Sequence, residues 1–248
     1  MERDMGRETA WAFISGASGE IGRAIAWRLA EDGVPLYLHY HQGGERLEPL
    51  LHFCQERGVP AYPVQADLRD VNQIAAIFDM MPVKPLLVVN NSSIDHVGLF
   101  TDVTPGLFDE LVAVNVRAAF FVTQAALPAM LRHQYGRIVN ISSIWGLTGA
   151  SCEVLYSLTK GAINSFTKAL AKEVAPSGIT VNAVAPGAVE GGMMRRFSPE
   201  EVASLLQEIP AGRLGQPQEV ASLVRYLLSA EAAYVTGQVI SPNGGWYA

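Results

Sequence analysis

The chain has 248 residues, 49% of them apolar, and its 24 acidic against 18 basic side chains leave a net charge of −6. That apolar fraction supplies a substantial core and argues against disorder. The acidic balance, with no block of Lys or Arg, argues against a nucleic-acid surface. Cys54 and Cys152 are the only cysteines and show neither a disulfide framework nor metal-type spacing. The opening MERDMGRETAW is charged and lacks the apolar stretch of a signal sequence or anchor. No uninterrupted apolar run approaches the length of a bilayer span. The expectation is a soluble, cytoplasmic protein that engages no membrane, nucleic acid or metal.

In chain order, short apolar runs at 11–15, 35–40, 61–65, 86–90, 137–142, 179–185 and 238–241 read as strands. Several lack polar alternation, as strands covered on both faces do. Helical patterns separate them at 21–32, 45–57, 71–80, 107–131, 155–175 and 217–229. Asp70 is placed to cap the third of these helices. Ser198-Pro199-Glu200-Glu201 is a capping-box start with proline at the first helical position, and it opens a further short helix. Such alternation predicts an α/β fold: a doubly wound, Rossmann-type parallel sheet of about seven strands. With no repeat, linker or composition break, one domain over 1–248 is expected, with about the first ten residues as an extension.

The first strand runs into SGASGEIGRAIA. A glycine-rich turn between strand and helix lets backbone N–H groups approach a pyrophosphate, and the helix N-terminus adds positive partial charge. Farther along, Tyr156 and Lys160 stand at i and i+4, on one helix face.

Ser15-Gly16-Ala17-Ser18-Gly19-Glu20-Ile21-Gly22 resembles the T-G-x-x-x-G-x-G loop of the short-chain dehydrogenase/reductase family. The likeness continues through Asp67-Leu68 in QADL, Asn91-Ser92-Ser93 in NNSS, Asn115 in VNV and Ser143 in NISS. It extends through Tyr156, Lys160, Pro186-Gly187 and Val189 in VAPGAV to the closing TGQVISPNGGW. The resemblance implies a dinucleotide held by Ser15, Gly16, Ser18, Gly19, Glu20, Ile21, Tyr40, His41, Asp67, Leu68, Asn91, Ser92, Ser93, Tyr156, Lys160, Pro186, Gly187 and Val189. It also implies a catalytic four of Asn115, Ser143, Tyr156 and Lys160.

In that scheme Tyr156 protonates the alkoxide left by hydride transfer to a ketone. A free phenol ionises near pH 10, so it needs tuning, and Lys160 one turn away supplies the charge. Ser143 polarises the carbonyl, and Asn115 holds a water that relays protons to Lys160. Two positions depart from the family. Glu20 replaces a glycine near the cofactor phosphates and is expected to turn toward solvent or a neighbouring donor, at a cost in cofactor affinity. Ser92 and Ser93 replace Ala-Gly and narrow the space by the nicotinamide ribose. NAD-preferring relatives end the second strand with an acid, whereas this chain has Tyr40 and His41 there. NADPH is therefore the expected cofactor and NADH the alternative, although no arginine stands out to clamp a 2′-phosphate.

Family pocket positions hold Ile144, Trp145, Leu147, Cys152, Glu153, Met193 and Met194. Trp145, Glu153 and Met193 are the candidate substrate contacts. The chain resembles 3-oxoacyl-[acyl-carrier-protein] reductases and, more closely, elongation factor P 5-aminopentanone reductases. The leading substrate is thus the aminopentanone-modified lysine of elongation factor P, with Glu153 facing its ammonium. A ketone on acyl carrier protein is the alternative, and a non-catalytic dinucleotide sensor is a reading of another class. The resemblance also implies a homotetramer built on helices 107–131 and 155–175.

Overall fold

The computed structural model describes residues 10–247; the expected N-terminal extension therefore lies almost wholly outside the described residues, as does the side chain of Met193. Seven strands form one parallel sheet: β1 (Ala12–Ile14), β2 (Leu36–Tyr40), β3 (Ala61–Gln65), β4 (Leu87–Asn90), β5 (Gly136–Ile141), β6 (Ile179–Val184) and β7 (Val239–Ile240). Their order is β3-β2-β1-β4-β5-β6-β7. Every pairing is parallel, with Ala12 beside both Leu36 and Leu87. The strands β1, β4, β5 and β6 are buried throughout, which suits the apolar runs of β1 and β4, while β5 and β6 also bury Arg137, Asn140, Thr180 and Asn182. Pro63 is tolerated in β3 because that strand lies at the edge.

The helices are α1 (Glu20–Glu31), α2 (Glu48–Arg57), α3 (Val71–Met80), α4 (Pro105–Val112), α5 (Ala118–His133), α6 (Trp145–Thr148), α7 (Val154–Val174), α8 (Pro199–Glu208) and α9 (Pro217–Leu228). Asp70 accepts the Asn72 N–H at the start of α3, and Ser198 with Glu201 closes the capping box of α8, both as the sequence predicts. The helix expected over 107–131 is two helices joined by a π-turn at Ala113–Arg117. By length and composition this 29-residue run is long and apolar enough to cross a membrane, as a buried core helix also can be. Here Val122, Ala126 and Met130 bury it against the core. The four-residue α6 is too short to leave a periodic signal.

Strand order reverses direction between β1 and β4, and a crevice opens there at the carboxyl ends of the strands. Beneath it, Asn90 donates to Asn140 Oδ1 (2.8 Å) and Thr123 Oγ1 (2.9 Å), and Asn140 donates to Thr167 Oγ1 (2.8 Å). This buried network ties β4 and β5 to α5 and α7, so the crevice floor is rigid.

Candidate active site

The glycine-rich turn occupies the β1 end of the crevice. Gly16 adopts φ +65°, and a Cβ at Gly22 would lie 2.3 Å from the Gly16 carbonyl, so loop and helix approach more closely than any side chain permits. Gly19 caps α1 with no side-chain hydrogen bond, leaving the first-turn N–H groups without a capping side chain. Ser15 and Asn91 act as interior staples. Ser15 is 2% exposed; its hydroxyl accepts the N–H of Asn91 (2.9 Å) and of Ser92 (3.0 Å). The Asn91 amide donates to the carbonyls of Ser15 and Gly16. Their side chains are thus committed to joining two loops.

His39 is a further staple, one that the sequence reading passed over in favour of its neighbours. Its Nδ1 accepts the Gly16 N–H (3.1 Å), which leaves the proton on Nε2 to donate to the Ala66 carbonyl (3.1 Å). Burial lowers its pKa to about 4, so the ring is neutral and the tautomer is set. Beyond it, Tyr40 packs against Gly44 and His41 is exposed, its carbonyl accepting from Gln65. Ser18 donates to the Gln42 carbonyl, and the Arg46 guanidinium lies against Gly43. Arg46 is a cation at the second strand's end that periodicity did not reveal. Leu68 is buried, while the Asp67 carboxylate is held by Arg69 (2.7 Å), whose hydrogen bonds lower its pKa to about 2.

On the β5 side, Ser143, Tyr156 and Lys160 come together, all at least nine-tenths buried. Burial pushes the Tyr156 phenol pKa well above its usual value, and the nearby hydroxyls of Ser143 and Ser93 oppose that shift by favouring the ionised form. The Lys160 amine sits 5.5 Å from the Tyr156 ring centroid and donates to the Ile141 carbonyl (2.9 Å). Its burial lowers its pKa to about 7. Gly146 permits the close approach, since a Cβ there would stand 2.7 Å from the Lys160 backbone.

Asn115 lies in the π-turn, 2% exposed. Its amide donates to the Ile94 carbonyl (2.8 Å) and Thr159 Oγ1 (3.1 Å), while its oxygen accepts from Ile94 N–H (2.9 Å) and Ser93 Oγ (3.2 Å). The side chain clamps the 93–94 loop to α7. The π-turn adds one residue to the helical winding, and that bulge carries Asn115 to the loop.

Pro186 and Gly187 join the floor: Pro186 O accepts from Ile144 N–H, and Gly187 N–H donates to Pro242 O. Val189 pairs with Gly215. The following segment, 191–196, crosses the crevice and is tied to both walls. Glu20 accepts from the Gly192 N–H and from Arg195, so it does turn to a neighbouring donor. Arg196 pairs with Asp95 on the opposite wall. Trp145 meets Trp246 edge-on at 4.9 Å, forming an aromatic wall. Glu153 is half-buried beside Trp145, Arg196 and Asp95, and its carboxyl pKa is raised chiefly by burial. Asp95, Arg196 and Trp246 are contacts across long sequence separations and carried no local signal. Among the described residues no group of three or more His, Cys, Asp and Glu side chains is placed to hold a metal.

A family model described as Enoyl-(Acyl carrier protein) reductase matches residues 16–247. The chain is 48% identical over 238 residues to an uncharacterized oxidoreductase, YmfI, of Bacillus subtilis, covering 95% of this chain and 98% of that one. It is 35% identical over 246 residues to the 3-oxoacyl-[acyl-carrier-protein] reductase FabG of Staphylococcus aureus, covering 96% and 98%. A solved 3-oxoacyl-[acyl-carrier protein] reductase of Brucella melitensis with bound NAD superposes with a TM-score of 0.88 at 32% identity, covering 98% of this chain and 94% of that one. Matches of this extent, on a sheet whose order and crevice agree, assign the chain to the short-chain dehydrogenase/reductase family.

Proposed function

We propose that this oxidoreductase reduces a ketone to an alcohol with NADPH, Tyr156 giving the proton. The observation that carries this reading is Tyr156, buried at the switch-point crevice together with Ser143 and Lys160, the amine 5.5 Å from its ring centroid. The glycine cradle at Gly16 and Gly22, with the uncapped start of α1, fits the pyrophosphate of a nicotinamide dinucleotide. Gly19, Glu20 and Ile21 at that helix start, and Asp67 and Leu68 beyond β3, would flank it; Arg46 and Ser18 favour a 2′-phosphate. When bound, the dinucleotide would supply the hydride for the carbonyl carbon. Ser143 donates a hydrogen bond to the carbonyl oxygen, and Tyr156 delivers its proton to the same oxygen as negative charge gathers there. Lys160, poised near neutrality, contributes charge to the phenol and replaces its proton.

For the substrate we retain the aminopentanone-modified lysine of elongation factor P. Glu153 and Asp95 both stand close enough to Tyr156 to act on its charge, with the single Arg196 guanidinium beside both of them. An ammonium-bearing ketone suits such a wall better than a neutral thioester. The second reading, reduction of a ketone on acyl carrier protein, is favoured by the named activity of the FabG relative. Initial rates with NADPH and with NADH, against an aminopentanonyl-lysine peptide and an acetoacetyl thioester, separate the readings. Faster turnover of the thioester, unaffected by Glu153→Gln, overturns the preference; no turnover of either ketone with dinucleotide still bound returns the sensor reading.

A homotetramer is part of the proposal. Phe108, Phe120 and Leu158 are exposed on α4, α5 and α7, and Phe120 packs against Phe166 at 5.5 Å. Light scattering with a monomer mass would remove it.

A further inference from the structure

Asn164 follows Lys160 by one turn of α7 and Tyr156 by two, on the same helix face. It is 5% exposed, and its Nδ2 donates to the Gly146 carbonyl at 2.9 Å. A carbonyl oxygen only accepts, so this bond orients the amide. The Asn164 Oδ1 is left buried, with no hydrogen-bond partner among the described residues. The side chain is therefore held for its donor alone.

The need for that donor arises from the shortness of α6. The helix ends at Thr148, and the Ala150 N–H, which would reach Gly146 in a longer helix, donates to Ser157 Oγ instead (3.1 Å). Gly146 itself lies directly on α7: a Cβ there would stand 2.7 Å from the Lys160 backbone and 2.9 Å from the Asn164 amide nitrogen.

What rides on this turn is Ser143. Its hydroxyl accepts the Trp145 N–H (3.2 Å), and its carbonyl accepts the Gly146 N–H (2.9 Å). A hydroxyl that accepts one N–H is restricted in the directions left to its single proton. The turn thereby sets where Ser143 can donate. On the other side of the serine, Ser142 Oγ donates to the Lys160 carbonyl at 3.3 Å. Ser143 is thus clamped to the tyrosine's helix from both directions along the chain, by Ser142 before it and by Asn164 through Gly146 after it.

We propose that Asn164 is a positioning residue for the reduction: by holding Gly146 on α7 it fixes the Ser143 hydroxyl relative to Tyr156, so that both reach one substrate oxygen. Stabilisation of a developing oxyanion depends steeply on geometry, and a displacement of about 1 Å costs up to about a hundredfold in rate. The inference rests on the roles given to Ser143 and Tyr156 above.

Asn164→Leu keeps the side-chain volume and removes both the donor and the orphaned oxygen, so the denaturation midpoint should stay near that of the unaltered protein. The kcat for a ketone should fall about tenfold, with the KM for NADPH within about twofold. In a Ser143→Ala background the same change should cost less than about twofold, because the two substitutions interrupt one interaction. Asn164→Asp adds a pH signature. Its carboxyl can donate to Gly146 only when protonated, so its rate relative to the unaltered protein should recover as pH falls through a pKa that burial raises. Asn164→Leu should show no such recovery. A kcat within about twofold of the unaltered protein's, or an equal loss in both Ser143 backgrounds, overturns the proposal. Absence of ketone turnover by the unaltered protein would sink the reduction reading instead. Hydrogen exchange then decides the placement of Ser143: in Asn164→Leu the Trp145 amide should exchange about tenfold faster while that of Val139 in β5 is unchanged. An unmoved Trp145 amide overturns the role of Asn164.

Discussion

The two walls of the cofactor crevice are held by different physics. On the β1 side the turn is fixed by neutral, buried hydrogen bonds from Ser15, His39 and Asn91. Across the opening, the 191–196 segment is held by charges: Arg195 on Glu20 and Arg196 on Asp95, with the Arg195 side chain 75% exposed. Neutral interior bonds are short-ranged and insensitive to salt, and leaving one unmade is expensive. Exposed ion pairs contribute about 0–1 kcal/mol and are screened. The comparison teaches that one wall is built to stay and the other to move.

Breaking the stiff wall should have the largest effect. His39→Leu leaves the Gly16 N–H and the Ala66 carbonyl without their side-chain partner. It is expected to cost about 2–4 kcal/mol in chemical denaturation and to raise the KM for NADPH more than tenfold, on the order expected for two buried groups left unmade. The same residue carries a pH signature of comparable size. The folded pKa, about 4, lies below the ordinary 6.5, so the unfolded chain binds the extra proton first. The His39 contribution is whole above pH 6.5 and is lost as pH falls toward 4. It amounts to roughly 3 kcal/mol across that window and should vanish from stability–pH curves of His39→Leu.

The charged latch should respond more gently. Glu20→Gln removes a carboxylate from the first turn of α1 and from Arg195. Stability should change by less than about 1 kcal/mol, while the KM for NADPH falls by about threefold as a repelling charge leaves the phosphate site. Smallest of all, Arg196→Ala should alter stability by about 0.5 kcal/mol or less. The same change should lower the KM for an amine-bearing ketone by freeing Asp95, an effect that 1 M salt erases. If Glu20→Gln proved as costly as His39→Leu, the contrast between the walls would be lost.

How far the sequence could be read follows the range of the interactions. All seven strands lie where short apolar runs predict them, and Asp70 and Ser198 cap as their local patterns require, because strand burial and capping are decided within a few residues. The doubly wound fold follows from alternation alone. Tyr156 and Lys160 were legible as a pair because helical spacing places them on one face. Arg46, Asp95 and the latch of Arg195 on Glu20 were not, since the latch partners stand 175 residues apart in sequence and meet only through the fold. Ser93 is legible as a departure from glycine, but its hydrogen bond to Asn115 depends on a π-turn that periodicity treats as ordinary helix. The Lys160 amine's bond to the Ile141 carbonyl joins α7 to the end of β5 across 19 residues and is not visible in the spacing.

Proton donation by Tyr156 is the claim on which the functional account turns, and it is tested most directly by NADPH consumption with saturating ketone in Tyr156→Phe. The account predicts a fall of at least about a hundredfold with dinucleotide binding retained, the scale of a lost general acid. A rate within threefold of the unaltered protein would contradict it.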